Sequence, residues 1–106
     1  MPVRFLISTL KPGVDPAAYE AWVCDRDYAL VRTLPNYLSY KVHRIRAPIQ
    51  GAESSGWQYI ERMEVKSLEQ HDKDLASPAG VQLREELYGR FLDRPKNIYF
   101  ATDAID

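Results

Sequence analysis

The sequence has a single cysteine, no apolar run of membrane-spanning length and no block of like charge, and each absence closes a class of explanation. Cys24 has no partner for an internal disulfide. No apolar stretch approaches the roughly 20 residues that cross a bilayer, so no membrane partner is expected. Fourteen Lys and Arg stand against fifteen Asp and Glu, a net charge of −1 with the signs interleaved. That pattern argues against a nucleic-acid surface or a polybasic patch. The opening Met1-Pro2-Val3-Arg4-Phe5 lacks the charged and apolar regions of a signal peptide, so a reducing cytoplasm is the expected compartment. The two histidines and one cysteine form neither C-x-x-C nor H-x-x-x-H, and no metal site is expected. G-x-G-x-x-G, a phosphate-binding loop and G-x-S-x-G are all missing, so no cofactor with a sequence fingerprint is expected. A haem or flavin held by shape alone stays open.

What is present is enough for one core. At 106 residues, 45% hydrophobic and 11% aromatic, the chain reads as a single domain over 1–106. Val3 to Leu10 is rich in β-branched and aromatic residues and ends at Lys11-Pro12-Gly13, as a strand closing in a turn does. Asp15-Pro16 supplies a cap and a proline suited to the first helical position. Tyr19, Trp22, Val23 and Leu30 then share one side at helical spacing, up to Pro35. Cys24 in this helix reads as a small packing residue.

Tyr37 to Arg46 alternates, with Leu38, Tyr40 and Val42 on one face and Ser39, Lys41 and His43 on the other. Ala47 to Gly56 reads as a loop and Trp57 to Val65 as a third strand. Ser67-Leu68-Glu69-Gln70 is a capping box opening a second helical region, which Ser77-Pro78 interrupts and Asp93-Arg94-Pro95 ends. Lys96 to Thr102 alternates as the fourth strand. Two β-α-β halves joined by a β-β connection predict an α+β, ferredoxin-like βαββαβ domain with a four-stranded antiparallel sheet, helices on one face and the other face open.

The run Lys11-Pro12-Gly13-Val14-Asp15-Pro16 resembles the first strand–helix turn of dimeric α+β barrel proteins. Tyr19-Glu20-Ala21-Trp22-Val23 with Asp27-Tyr28, then Leu34-Pro35, Ser39-Tyr40-Lys41-Val42, Tyr59-Ile60-Glu61, Glu64-Val65 and Ser67-Leu68-Glu69, resemble the REDY-like, HapK-type family within that superfamily. The resemblance spans nearly the whole chain. It implies a dimeric α+β barrel, a homodimer that closes a pocket between sheet and partner. It also implies a small aromatic or heteroaromatic ligand, of the kind met in pathways to prodigiosin-like pigments or bisindole compounds. Two positions depart from related proteins. Asp74 stands before Leu75-Ala76-Ser77-Pro78 where some barrel monooxygenases have His, and Val65 ends the third strand where haem-degrading relatives have Trp. Haem degradation is therefore not the expected chemistry.

Several residues carry candidate chemistry. Tyr59, Glu61, Met63 and Val65 share a strand face that, by resemblance, looks into the barrel. A carboxylate between an aromatic and a thioether is partly desolvated, which raises its pKa towards the range useful for general acid–base work. The competing reading pairs Glu61 with Arg44 or Arg62. His43 is the only strand histidine and a possible proton shuttle, against the plainer reading of an exposed side chain. His71 reads as surface or packing. Tyr59, Tyr99 and Tyr40 offer rings that stack on planar ligands, and Arg4 can hold an acidic ligand group. Asp27 and Tyr28, off the main helical stripe, are expected at the pocket entrance or dimer seam. The combined expectation is a small-molecule enzyme or ligand-directing protein that moves protons through Glu61 and His43. Tyr59, Tyr99, Arg4, Asp27 and Tyr28 hold the ligand. The alternative is a non-catalytic dimeric binding or accessory protein.

Overall fold

The computed structural model describes residues 1–46 and 56–105. Apart from Gly56, the loop read over 47–56 lies outside them. Four strands, β1 (Pro2–Ser8), β2 (Tyr37–Arg44), β3 (Tyr59–Val65) and β4 (Ile98–Asp103), form one antiparallel sheet in the order β2-β3-β1-β4. Between β1 and β2 run α1 (Pro16–Trp22), a π-helical turn (Val23–Asp27) and α2 (Tyr28–Val31). Between β3 and β4 run α3 (Leu68–Ala76), α4 (Pro78–Glu86) and a second π-helical turn (Leu87–Phe91). This is the ferredoxin-like α+β arrangement that the sequence predicts.

The helices begin where local chemistry dictates. Asp15 Oδ1 accepts from the Ala17 amide at 3.0 Å, and Pro16 takes the position whose N–H has no partner to lose. Ser67 Oγ accepts from the Gln70 amide at 3.1 Å, but the reciprocal half of the capping box does not form. The Ser67 amide donates instead to Asn36 Oδ1 at 3.0 Å, and the Gln70 side chain donates to Asp74 Oδ1, 2.9 Å away. Ser77 serves both sides of the break, donating to the Asp74 carbonyl at 2.6 Å and accepting from the Gly80 amide at 3.2 Å. β1 stops at Ser8, two residues before the predicted end. The Gln58 side chain there accepts from Thr9 Oγ1 and the Leu10 amide and draws the chain out of the sheet.

The register sorts every strand side chain onto one of two faces. Leu6 pairs with Glu61 and Tyr99, Arg4 with Met63, and Val42 with Glu61, so these residues share the helix-facing side. Phe5 pairs with Arg62 and Phe100, Ile7 with Ile60 and Ile98, and His43 with Ile60, on the open side. A bulge between Tyr37 and Ser39 breaks the expected alternation of β2. It leaves Leu38 exposed at 46% while Tyr37 and Tyr40 lie edge to face, with centroids 5.7 Å apart.

The core fills the space between sheet and helices. Tyr19, Trp22 and Val23 pack with Leu87, Phe91 and Leu92 against Leu6, Leu10, Tyr59 and Met63. Full burial of each large apolar side chain contributes about 1.5–3 kcal/mol. Cys24 is exposed and takes no part in this packing, contrary to its sequence reading.

Candidate active site

A cavity of about 140 Å³ opens between the helix-facing side of the sheet and the helices. Its floor is Leu6, Glu61 and Met63, with Tyr37 and Tyr40 from β2, and its roof is helical, with Leu83 and Leu87 on the apolar side. Only Arg94 and Tyr99 in its lining are exposed, and they mark the mouth. The pocket thus lies within one chain. Glu61, expected on the open face of the sheet, instead shares the Leu6 face and looks towards the chain's own helices.

Glu61 is 4% exposed, and its Oε1 has no hydrogen-bond partner. The cations weighed against it are engaged elsewhere. Arg44 pairs with Glu20, and Arg62, on the open face, donates to Ser39 Oγ at 2.9 Å. Burial first, and then the charge of Asp27, hold the Glu61 carboxyl well above the usual range.

Asp27 is 3% exposed and lines the interior of the cavity, not its entrance. It closes the first π-helical turn, whose wider winding sets it inward although Cys24 and Asp25 beside it are exposed. Burial raises its carboxyl too, while the Tyr40 hydroxyl, donating to Oδ2 at 2.6 Å, pulls in the opposite direction. Two carboxyls in one apolar cavity disfavour double ionisation. Tyr40 pulls both carboxyls down, and Glu61, raised by burial and by facing the charge of Asp27, keeps its proton longer.

The structure gathers some of the predicted residues and separates others. Glu61, Asp27 and Tyr99 line the cavity together. His43 is exposed and paired with Ile60 on the far face, out of reach of Glu61's surroundings. Tyr59 is 2% exposed, packed edge-on to Tyr19 at 4.7 Å, with its hydroxyl donating to Glu20 at 2.8 Å. Its ring is core and does not line the cavity. The Tyr28 hydroxyl is held by β2, accepting from the Val42 amide at 3.0 Å. Arg4 donates to Asp72 at 2.7 Å and to His71 Nδ1 at 2.8 Å, so its charge is already matched.

His71 is fully buried, and its state follows from its neighbours. A guanidinium only donates, so Nδ1 is the acceptor and Nε2 carries the proton, which it donates to the Tyr37 hydroxyl at 2.8 Å. Burial and then Arg4 push the imidazole pKa down, in keeping with a neutral ring.

Sequence reading passed over Tyr37, Arg84, Tyr88 and Arg94 in the lining, and saw Asp74 only as a departure. The available signal was the helical spacing of Arg84 and Tyr88. Among the described residues no group of three or more His, Cys, Asp or Glu side chains gathers as a metal site, and no helix is long and apolar enough to cross a membrane.

The fold and site define a ferredoxin-like α+β domain with an acidic, apolar-walled cavity between sheet and helices. The chain belongs to the family of REDY-like protein HapK, whose pattern matches residues 2–105. Similar solved structures include At3g17210 from Arabidopsis thaliana, with 21% identity, a TM-score of 0.80, and 100% of this chain and 97% of that chain covered. HapK from Hahella chejuensis has 19% identity and a TM-score of 0.79, over 99% of this chain and 93% of that one. SnoaB, a cofactor-independent oxygenase from Streptomyces nogalater, has 17% identity and a TM-score of 0.73, over 99% and 94%. At these identities the likeness is one of fold. Comparison with curated proteins returns no significant match.

Proposed function

We propose that the chain acts on a single-ring aromatic or heteroaromatic metabolite by proton transfer, without a fingerprinted cofactor, in a role related to small-molecule biosynthesis. The observation that carries this reading is Glu61, a carboxyl 4% exposed with one oxygen unpartnered, in the same cavity as Asp27. Family membership, and the cofactor-independent oxygenase among the fold's neighbours, support a small-molecule role. In this reading the ionised Asp27 takes a proton from the ligand while protonated Glu61 gives one to a ligand oxygen or nitrogen. The ligand is isomerised when Asp27 gives its proton to a different ligand atom and Glu61 takes back the one it gave. Asp27 fills the part that the sequence assigned to His43.

Size limits the ligand. A cavity of about 150 Å³ holds a benzene, and this one is about 140 Å³. A single ring matches that volume, which is why a one-ring ligand is proposed. Two copies are further proposed to pair through the open face, where Ile98 and Phe100 are 40% and 41% exposed beside Phe5 and Ile7.

Mass spectrometry of small molecules copurifying with the native protein identifies the occupant. Deuterium uptake by that molecule in D₂O, followed by NMR, then reads the chemistry. Wild type is expected to catalyse the exchange, and Glu61→Gln to slow it at least about a hundredfold with folding retained. Equal exchange in both proteins overturns the acid–base role. Retained binding without exchange in either protein selects the accessory-protein reading.

A further inference from the structure

Glu61 and Asp27 line the cavity, and a second polar pair stands in the same lining without an assigned role. Asp74, near the end of α3, accepts from Gln70 through Oδ1, and its Oδ2 is buried without a partner. Arg84, on α4, donates through Nη2 to the Leu75 carbonyl at 3.0 Å, and its Nε is buried without a partner. Both line the cavity. The two form no ion pair with each other, and each brings one buried, unpartnered polar atom to the lining of the same cavity. Leaving such groups desolvated costs free energy that a matching ligand recovers.

The backbone is arranged to bring them there. Gly80 lies so close to the end of α3 that a side-chain carbon would collide with the Asp74 carbonyl and stand 2.8 Å from that of Leu75. The absence of a side chain lets the start of α4 press against the end of α3. Ser77 bonds to both elements across the break, and Arg84 ties back to Leu75.

We propose that Asp74 and Arg84 form a recognition pole that takes a ring hydroxyl, which donates to Asp74 Oδ2 and accepts from Arg84 Nε. This pole fixes which end of the ring meets Glu61. The proposal rests on the ligand site described above and names its substrate class: a monocyclic phenol or hydroxylated heteroaromatic. A ligand carboxylate would meet Asp74 as well as Asp27, and an ammonium would meet Arg84 as well as Arg94. A neutral hydroxyl satisfies both partners with one oxygen.

Phenol, toluene and benzoate, titrated into the full chain and followed by amide chemical shifts, test the pole. Phenol is expected to bind wild type about tenfold more tightly than toluene, and benzoate more weakly than phenol. Asp74→Leu and Arg84→Met are each expected to erase the phenol preference and keep toluene binding. Toluene binding reports that the cavity has folded, and either variant alone suffices. Glu61→Gln is expected to preserve the preference, which separates this proposal from the proton-transfer reading. Equal binding of phenol and toluene by wild type, or a preference that survives both pole substitutions, overturns the pole but leaves Glu61's role standing. If none of the probes binds wild type, the cavity is no ligand site and both readings fall.

Discussion

At the scale of single residues, Glu61 connects chemistry to stability. Its carboxyl ordinarily titrates near 4.5 and is held higher in the folded chain, chiefly by burial. Between those two values the folded state binds more proton than the unfolded state. The associated stabilisation is present below the unfolded value and is lost as pH rises through the folded one. Wild type is therefore expected to lose up to about 1.4 kcal/mol per pH unit within that window. Glu61→Gln, which has no proton to lose, should show a flatter profile in urea denaturation series run from pH 5 to pH 8. Parallel profiles would show that Glu61 is not held protonated by the fold. Asp27 adds to the same slope, being displaced in the same direction. The alternation of β3 made Glu61's burial among Tyr59, Met63 and Val65 legible from sequence. Asp27 was not legible as an interior group, because the charged run Cys24-Asp25-Arg26-Asp27 looks like a solvated face until the π-helical turn is known.

At the scale of elements, the clearest strain test lies at the α3–α4 junction. Gly80→Ala would ordinarily gain helix propensity, by up to about 1 kcal/mol. The clash with the Asp74 and Leu75 carbonyls reverses the sign. A loss of at least about 2 kcal/mol is expected in chemical denaturation, and a stabilised variant would show that the two helices separate readily. The elements themselves were legible because their signals are local: a cap at Asp15, another at Ser67, a break at Pro78 and alternation in β3 and β4. The parts that sequence did not reveal depend on partners distant in the chain. The bulge at Leu38 is set by pairing with β3, and the early end of β1 by the Gln58 side chain. The Ser67–Gln70 box closes only halfway because the Ser67 amide donates to the Asn36 side chain rather than to that of Gln70. Which sheet face holds the cavity also required the register, since alternation separates two faces without saying which one the helices cover.

At the scale of the whole molecule, the open face is the feature that the isolated chain leaves uncovered. Phe5 and Phe100 meet with centroids 5.9 Å apart, and Ile7, Ile60 and Ile98 extend the apolar surface across three strands. Sedimentation equilibrium is expected to give twice the chain mass for wild type. Phe100→Lys should weaken pairing by about a hundredfold or more, since it sets a charge within the apolar patch. A monomeric wild type would remove the pairing proposal and leave the cavity untouched. The sheet itself is a partition one backbone thick. Ile60 and Arg62 look outward on either side of inward-facing Glu61, and Phe5 and Ile7 do the same around Leu6. A ligand that wedges the inner side and a surface that flattens the outer side press on the same strands. If two copies pair on the outer side as proposed and pairing shifts the strands that the ligand contacts, each event changes the other's affinity by the same factor.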